Sequence, residues 1–111
     1  MKMRMFLSGP ITGDEFYREK FALAKEELKE HGYSEVINPA ELCRVLPEGT
    51  DYETYMTICE DLLQTATAIV QLPGWQKSLG ANRELVYARA LDKIVLQLDD
   101  LIEGVRRNDE G

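Results

Sequence analysis

Two glycine-punctuated stretches hold the residues best suited to chemistry: Ser8-Gly9-Pro10-Ile11-Thr12-Gly13, and the run from Pro73 through Gly74, Trp75, Ser78 and Gly80 to Glu84. In the first, two glycines let backbone approach a ligand closely, and the start of the following helix favours an anion or a polar sugar edge. It is not a P-loop, because no Gly-Lys-Ser/Thr follows, and it lacks the third glycine of the dinucleotide fingerprint. A tight strand-to-helix turn accounts for the same residues equally well. In the second stretch Trp75, the only tryptophan, falls in a loop beyond a strand end. A flat ring there could stack on a base or cover a sugar; the plain alternative is a lid over the core. Gly80 and Ala81 are small enough to let the next helix start close to a sheet. Glu84 is expected in the first turn of that helix, where the N-terminal dipole keeps a carboxylate ionised and the loop could present it to a ligand. The bland reading is a solvated glutamate that complements the dipole.

The elements that must position these residues alternate regularly. Met5-Phe6-Leu7, ending at Ser8-Gly9-Pro10, reads as a buried first strand. Thr12 to Glu15 has the form of a capping box, and Tyr17, Phe21, Ala24 and Leu28 form one helical stripe that Gly32 stops. Residues 34–37 make a second strand closed by Asn38-Pro39. Residues 39–50 form the longest irregular connection. A second capping box, Thr50 to Glu53, opens a helix whose Tyr52, Tyr55, Met56, Cys59, Leu62, Leu63 and Ala66 recur with helical period. That stripe reads as core packing rather than a cofactor box. Residues 68–72 are a central third strand, 80–91 a third helix, 93–98 a fourth strand and 99–105 a short last helix, leaving a polar tail at 106–111 expected to fray. With no hairpin signal, the pattern predicts one α/β domain over residues 1–105, with a parallel sheet of four to five strands. Its ligand site belongs outside the carboxyl ends of the strands, where loops 8–13, 38–39 and 73–80 would meet.

Bulk properties narrow the partners. The chain has 111 residues and a formal net charge of −7, enough for one core and without the basic stripe that long nucleic acid or an acidic membrane surface requires. Small anions remain possible ligands, since backbone amides can bind them. Cys43 and Cys59 are the only cysteines and read as partly buried thiols; His31 is the only histidine, which excludes a histidine-based metal site. No cofactor is expected. The apolar run near Met1 is too short for a signal peptide or a membrane span, and a cytoplasmic location is expected.

Four blocks in unbroken order are similar to one family: residues 6–13, then Val36-Ile37-Asn38-Pro39-Ala40, then Tyr55-Met56, then residues 72–84 with Pro-Gly-Trp leading to Ser-x-Gly-Ala-x-x-Glu. They resemble the DUF4406 family of bacteria and their phages, within the nucleoside 2-deoxyribosyltransferase-like superfamily. The resemblance implies a small flavodoxin-like three-layer fold and chemistry at C1′ of a ribose or deoxyribose. Glu84 occupies the position of the superfamily's nucleophile; Phe6, Ser8, Gly9, Pro10, Ile11, Thr12, Gly13, Asn38, Gly74, Trp75, Ser78 and Gly80 occupy binding positions. Ser78 stands where transferases of the superfamily carry aspartate and resembles the phosphate-binding serine of a branch that hydrolyses deoxynucleoside 5′-monophosphates. Phe6, Pro10 and Thr12 depart from that branch, which has Tyr, Ser and Arg there. Thr67 stands where the family usually shows Asp, and Asp61 is a weak candidate for the acid that assists the leaving base. The activity implied is therefore N-glycosyl hydrolysis or deoxyribosyl transfer on a nucleoside or nucleotide; the alternative is a non-catalytic small-nucleotide-binding module. A homo-oligomer, dimer or larger, is implied as well, because the superfamily builds its site across a subunit contact.

Overall fold

The computed structural model describes residues 3–102. The last three residues of the expected final helix and the polar tail at 106–111 lie outside them.

Four strands form one sheet: β1 (Arg4–Ser8), β2 (Glu35–Ile37), β3 (Ala68–Gln71) and β4 (Ile94–Gln97). All three pairings are parallel and the order is β2-β1-β3-β4. The strand order therefore reverses between β1 and β3, and their carboxyl ends border the crevice where doubly wound sheets bind ligands. Register sets Ser8 beside Gln71, and Gln71 beside Gln97.

Strand side chains alternate between faces, so β1 splits into two sets. Met5 and Leu7 join Val70 in a core with Phe21, Ala24 and Leu28 of α1 (Tyr17–Glu30) and with Leu98 and Ile102 of a helical segment at 98–102. Phe6 and Ile69 face the other way, against Cys59 and Leu63 of α3 (Tyr52–Gln64) and Ala88 of α4 (Leu79–Ala90). The result is the parallel α/β sheet expected from the alternation, in the three-layer arrangement and flavodoxin-like strand order that the resemblance implies. Ser8 shares its face with Phe6 and so points toward the α3–α4 layer. Among the described residues no helix is long and apolar enough to cross a membrane.

Both capping boxes shift. The first helix begins at Tyr17 rather than after Thr12. Gly13 takes φ +84° to turn the chain, and the Asp14 carboxylate accepts from the Phe16 amide at 2.9 Å while pairing with Lys20 at 2.8 Å. That local Asx turn competes with, and replaces, a threonine cap. In the second box Asp51, not Thr50, is the cap: its carboxylate accepts from the Thr54 amide at 2.7 Å, and the Thr50 hydroxyl donates to the Pro47 carbonyl at 2.6 Å. The connection at 39–50 is also less irregular than expected. It holds a 3₁₀ turn at Pro39–Glu41 and a single helical turn, α2 (Leu42–Val45).

Candidate active site

Two close approaches bring the glycine-rich loops together beyond β1 and β3. The Leu72 amide donates to the Ser8 carbonyl at 2.8 Å. A Cβ on Gly9 would fall 2.9 Å from Leu72 Cβ, so glycine is needed for the strands to part at this separation. Gly74 takes φ +87°, in the left-handed region that glycine tolerates, and faces Pro10, whose Cγ lies 3.5 Å from where a Cβ would be.

Beside them opens a pocket of about 920 Å³, within the range of small-molecule sites. Gly9, Ile11 and Thr12 form one wall, Ser78, Gly80 and Ala81 another, and Glu84 lies at its floor with 6% of its surface exposed. The Ser8 hydroxyl, itself 1% exposed, donates to Glu84 Oε1 at 2.6 Å. One carboxylate oxygen is thus held, while Oε2 has no such tether to Ser8.

Glu84 is not in the first turn of its helix. Ser78 is the N-cap, its Oγ accepting from the Ala81 amide at 3.1 Å, which puts Glu84 in the second turn. The helix dipole acts mainly within the first turn, so burial prevails instead. Desolvation pushes the Glu84 carboxyl up to about 7; the Ser8 hydrogen bond opposes this and the nearby Glu60 charge adds to it. An ionised state stabilised by the dipole is thereby corrected to a carboxyl poised between its two forms at neutral pH.

The sequence-derived candidates divide. Glu84, Gly9, Ile11, Thr12, Ser78 and Gly80 line this pocket, and Ser8 reaches it through Glu84. Phe6 is fully buried in the α3–α4 core beneath. Asn38 is buried and caps the 3₁₀ turn, accepting from the Ala40 amide at 3.0 Å. Pro10 and Gly13 are loop residues outside the pocket lining, and Gly74 and Trp75 line a separate, smaller cavity. A Cβ on Gly80 would make only ordinary contacts, with Tyr52 Oη and Met56 Sδ. It is the 1% exposed Ala81, not Gly80, that packs α4 closely. Asp61 is exposed and outside the lining, while the Thr67 hydroxyl accepts from the Arg4 amide at the opposite end of the sheet.

One wall was not foreseen. Residues 46–50, with Tyr52, Tyr55 and Met56 of α3, close the far side of the pocket. The Tyr55 hydroxyl donates to the Pro39 carbonyl at 3.3 Å, and burial, with Cys59, Cys43 and Glu84 close to it, raises its pKa far above the ordinary phenol value. It remains a fixed O–H donor. Two cations, Arg18 and Lys77, reach the lining. Arg83, next to Glu84, is tied up with Glu53 and Glu60, both at 2.9 Å. Among the described residues no three His, Cys, Asp or Glu side chains gather as a metal ion would need.

A parallel α/β domain with a buried, hydroxyl-tethered carboxylate at its switch-point crevice is the class of protein these features define. A family model described as a domain of unknown function, DUF4406, matches residues 3–97, and the chain belongs to that family. No curated protein matches it.

Proposed function

We propose that this protein cleaves or exchanges the N-glycosidic bond of a nucleoside or nucleoside 5′-monophosphate, as a member of the nucleoside 2-deoxyribosyltransferase-like superfamily, with Glu84 as nucleophile. The observation that carries the reading is the Ser8–Glu84 pair: a buried carboxyl raised to about 7 by its surroundings, on the floor of a pocket large enough for a nucleoside or its 5′-monophosphate. A carboxylate stripped of water is a stronger nucleophile than a hydrated one, and near neutral pH about half of it is ionised. Its free oxygen attacks C1′ while the bond to the base breaks, the bonding pair leaving with the base nitrogen, which takes up a proton. Water then attacks C1′, giving up a proton that balances the one taken by the departing base, returns the carboxylate and releases the sugar; a second base, losing its N–H proton in the same way, gives transfer. Both steps pass through an oxocarbenium-like transition state, which a nearby anion stabilises. Arg18, Lys77 and the Ser78 hydroxyl are the groups available for a 5′-phosphate.

A second reading, a small-nucleotide-binding module without turnover, has one observation in its favour. The only other carboxylate in the described lining is the exposed Glu48; Glu60, near Glu84, lies outside that lining and is paired with Arg83. The proposal also includes a homo-oligomer. Leu79, 80% exposed, and Tyr52 both line the pocket, so a second copy set over the mouth would cover apolar surface and deepen the site. Incubation with a panel of nucleosides and 5′-monophosphates, with free base as readout, separates the two readings: base release supports the enzyme, and binding without release the module.

A further inference from the structure

Arg83 precedes Glu84 on α4, but its guanidinium turns away from the pocket toward α3. Nη1 pairs with Glu53 Oε1 at 2.9 Å, and Nε and Nη2 both reach Glu60 Oε1, at 3.0 and 2.9 Å. The same group lies 5.9 Å from the centre of the Tyr52 ring. Residues 53 and 60 stand about two turns apart on α3, so one side chain grips a length of that helix. Helix α3 supplies Tyr52, Tyr55 and Met56 to the pocket, and α4 supplies Glu84. Arg83 therefore joins the element that carries the carboxylate to the element that walls it in. The two acids it holds are not equivalent. The Glu53 side chain is 73% exposed, where an ion pair contributes little; that of Glu60 is 20% exposed, and an anion there depends more on its partner.

Few charged or titratable groups surround Glu84. From α3 come Tyr55, Cys59 and Glu60. Tyr55 and Cys59 stay neutral near pH 7, because burial raises both, the thiol to about 12. The rest of the pocket lining adds Arg18, Lys77, Glu48 and the Cys43 thiol, while β1 contributes the uncharged Ser8. Glu60 is the anion that opposes ionisation of Glu84. It is also the one that Arg83 holds through two nitrogens.

We propose that Arg83 is a positioning residue for Glu84: it fastens α4 to α3 and offsets the Glu60 anion, so that the Glu84 carboxylate can form beside it. Arg83 and Glu60 lie outside the pocket lining, so both act through Glu84 rather than on a ligand. The consequence for rate rests on the reading of Glu84 as nucleophile; the consequence for its charge does not.

Carbon-detected NMR titration of Glu84 in the full, ligand-free chain reads that charge. In Glu60→Gln an anion is lost and the Arg83 cation is left without it, so the Glu84 midpoint is expected to fall by roughly 0.5–1 pH unit. In Arg83→Met the Glu60 anion is bared, and the midpoint is expected to rise by a similar amount. The double variant, which removes both charges, is expected to return close to the parent. Glu60→Gln is nearly isosteric and decides the question even if Arg83→Met does not fold. A residue that only fastened two helices would lower stability and leave the Glu84 midpoint within about 0.2 pH unit of the parent. That result, or a midpoint that moves the same way in both single variants, would overturn the proposal. Opposite movements of the midpoint in a chain that releases no base would reject Glu84 as nucleophile and support the role given to Arg83.

Discussion

The Ser8 hydroxyl and the Glu84 carboxylate, 76 residues apart in sequence, meet in a 2.6 Å hydrogen bond where the end of β1 faces the second turn of α4. Strand alternation puts Ser8 on the α4 side of the sheet, and the Ser78 cap sets the phase of α4 so that Glu84 turns inward. Burial then sets the charge of the pair.

Stability should carry the mark of that burial. Glu84 titrates near 7 in the folded chain against an ordinary 4.5. Below about pH 4.5 the carboxyl is protonated whether folded or unfolded. Between these values the folded chain holds a proton that the unfolded chain releases, so stability falls as pH rises, and the full penalty is present above about pH 7. The span corresponds to about 3 kcal/mol. Glu84→Gln, neutral throughout, is expected to be more stable than the parent by up to about 3 kcal/mol near pH 8 and nearly equal to it near pH 4. Urea unfolding at the two pH values checks this; an equal gain at both would contradict it.

Removing the hydroxyl acts in the opposite sense to removing the carboxylate. In Ser8→Ala the Glu84 anion loses a hydrogen bond that favours it, so its pKa is expected to rise further above 7. Stability near pH 8 should fall by roughly 1–3 kcal/mol. Carbon-detected NMR titration of Glu84 reads the first effect and urea unfolding the second.

Gly9→Ala tests the close approach of the two loops. Its new Cβ meets Leu72 Cβ at 2.9 Å, a contact that must be relieved by moving β1 from β3 or reshaping the loop. A loss of about 1–3 kcal/mol is expected, read by thermal unfolding. Gly80→Ala, whose Cβ would have ordinary contacts, should be nearly neutral.

Much of this architecture was legible in the sequence because it rests on local signals. Short apolar runs ending at Ser8-Gly9-Pro10 and Leu72-Pro73-Gly74 mark strands that stop at a ligand edge, and helix periodicity fixes which residues face the sheet. What escaped depends on tertiary partners. Trp75 is drawn away from the Glu84 pocket by Gln97, 22 residues later, and no motif encodes that pairing. Tyr52 and Tyr55 share the apolar stripe of α3, yet their side chains line the pocket; periodicity does not separate a residue facing core from one facing a cavity. Both helix starts moved because an aspartate, Asp14 or Asp51, outcompeted a threonine for the available amides.

If Glu84 acts as a carboxylate, base release should rise through pH 7 and level off above it, because only the ionised form attacks. Ser8→Ala should move that rise to higher pH, whereas a group acting as an acid would give a falling profile. Initial rates across the range from pH 5 to about pH 9 distinguish the two.

The most direct measurement is covalent. A 2-fluoro-substituted deoxynucleoside slows release of a glycosyl-enzyme, because fluorine destabilises the oxocarbenium-like transition state, so the intermediate accumulates. Mass spectrometry of the digested protein is expected to show the sugar on the peptide that contains Glu84, and Glu84→Ala to lose both the adduct and base release, the latter by on the order of 10³-fold or more. An adduct on another residue, or base release undiminished in Glu84→Ala, would contradict the assignment of Glu84 as nucleophile.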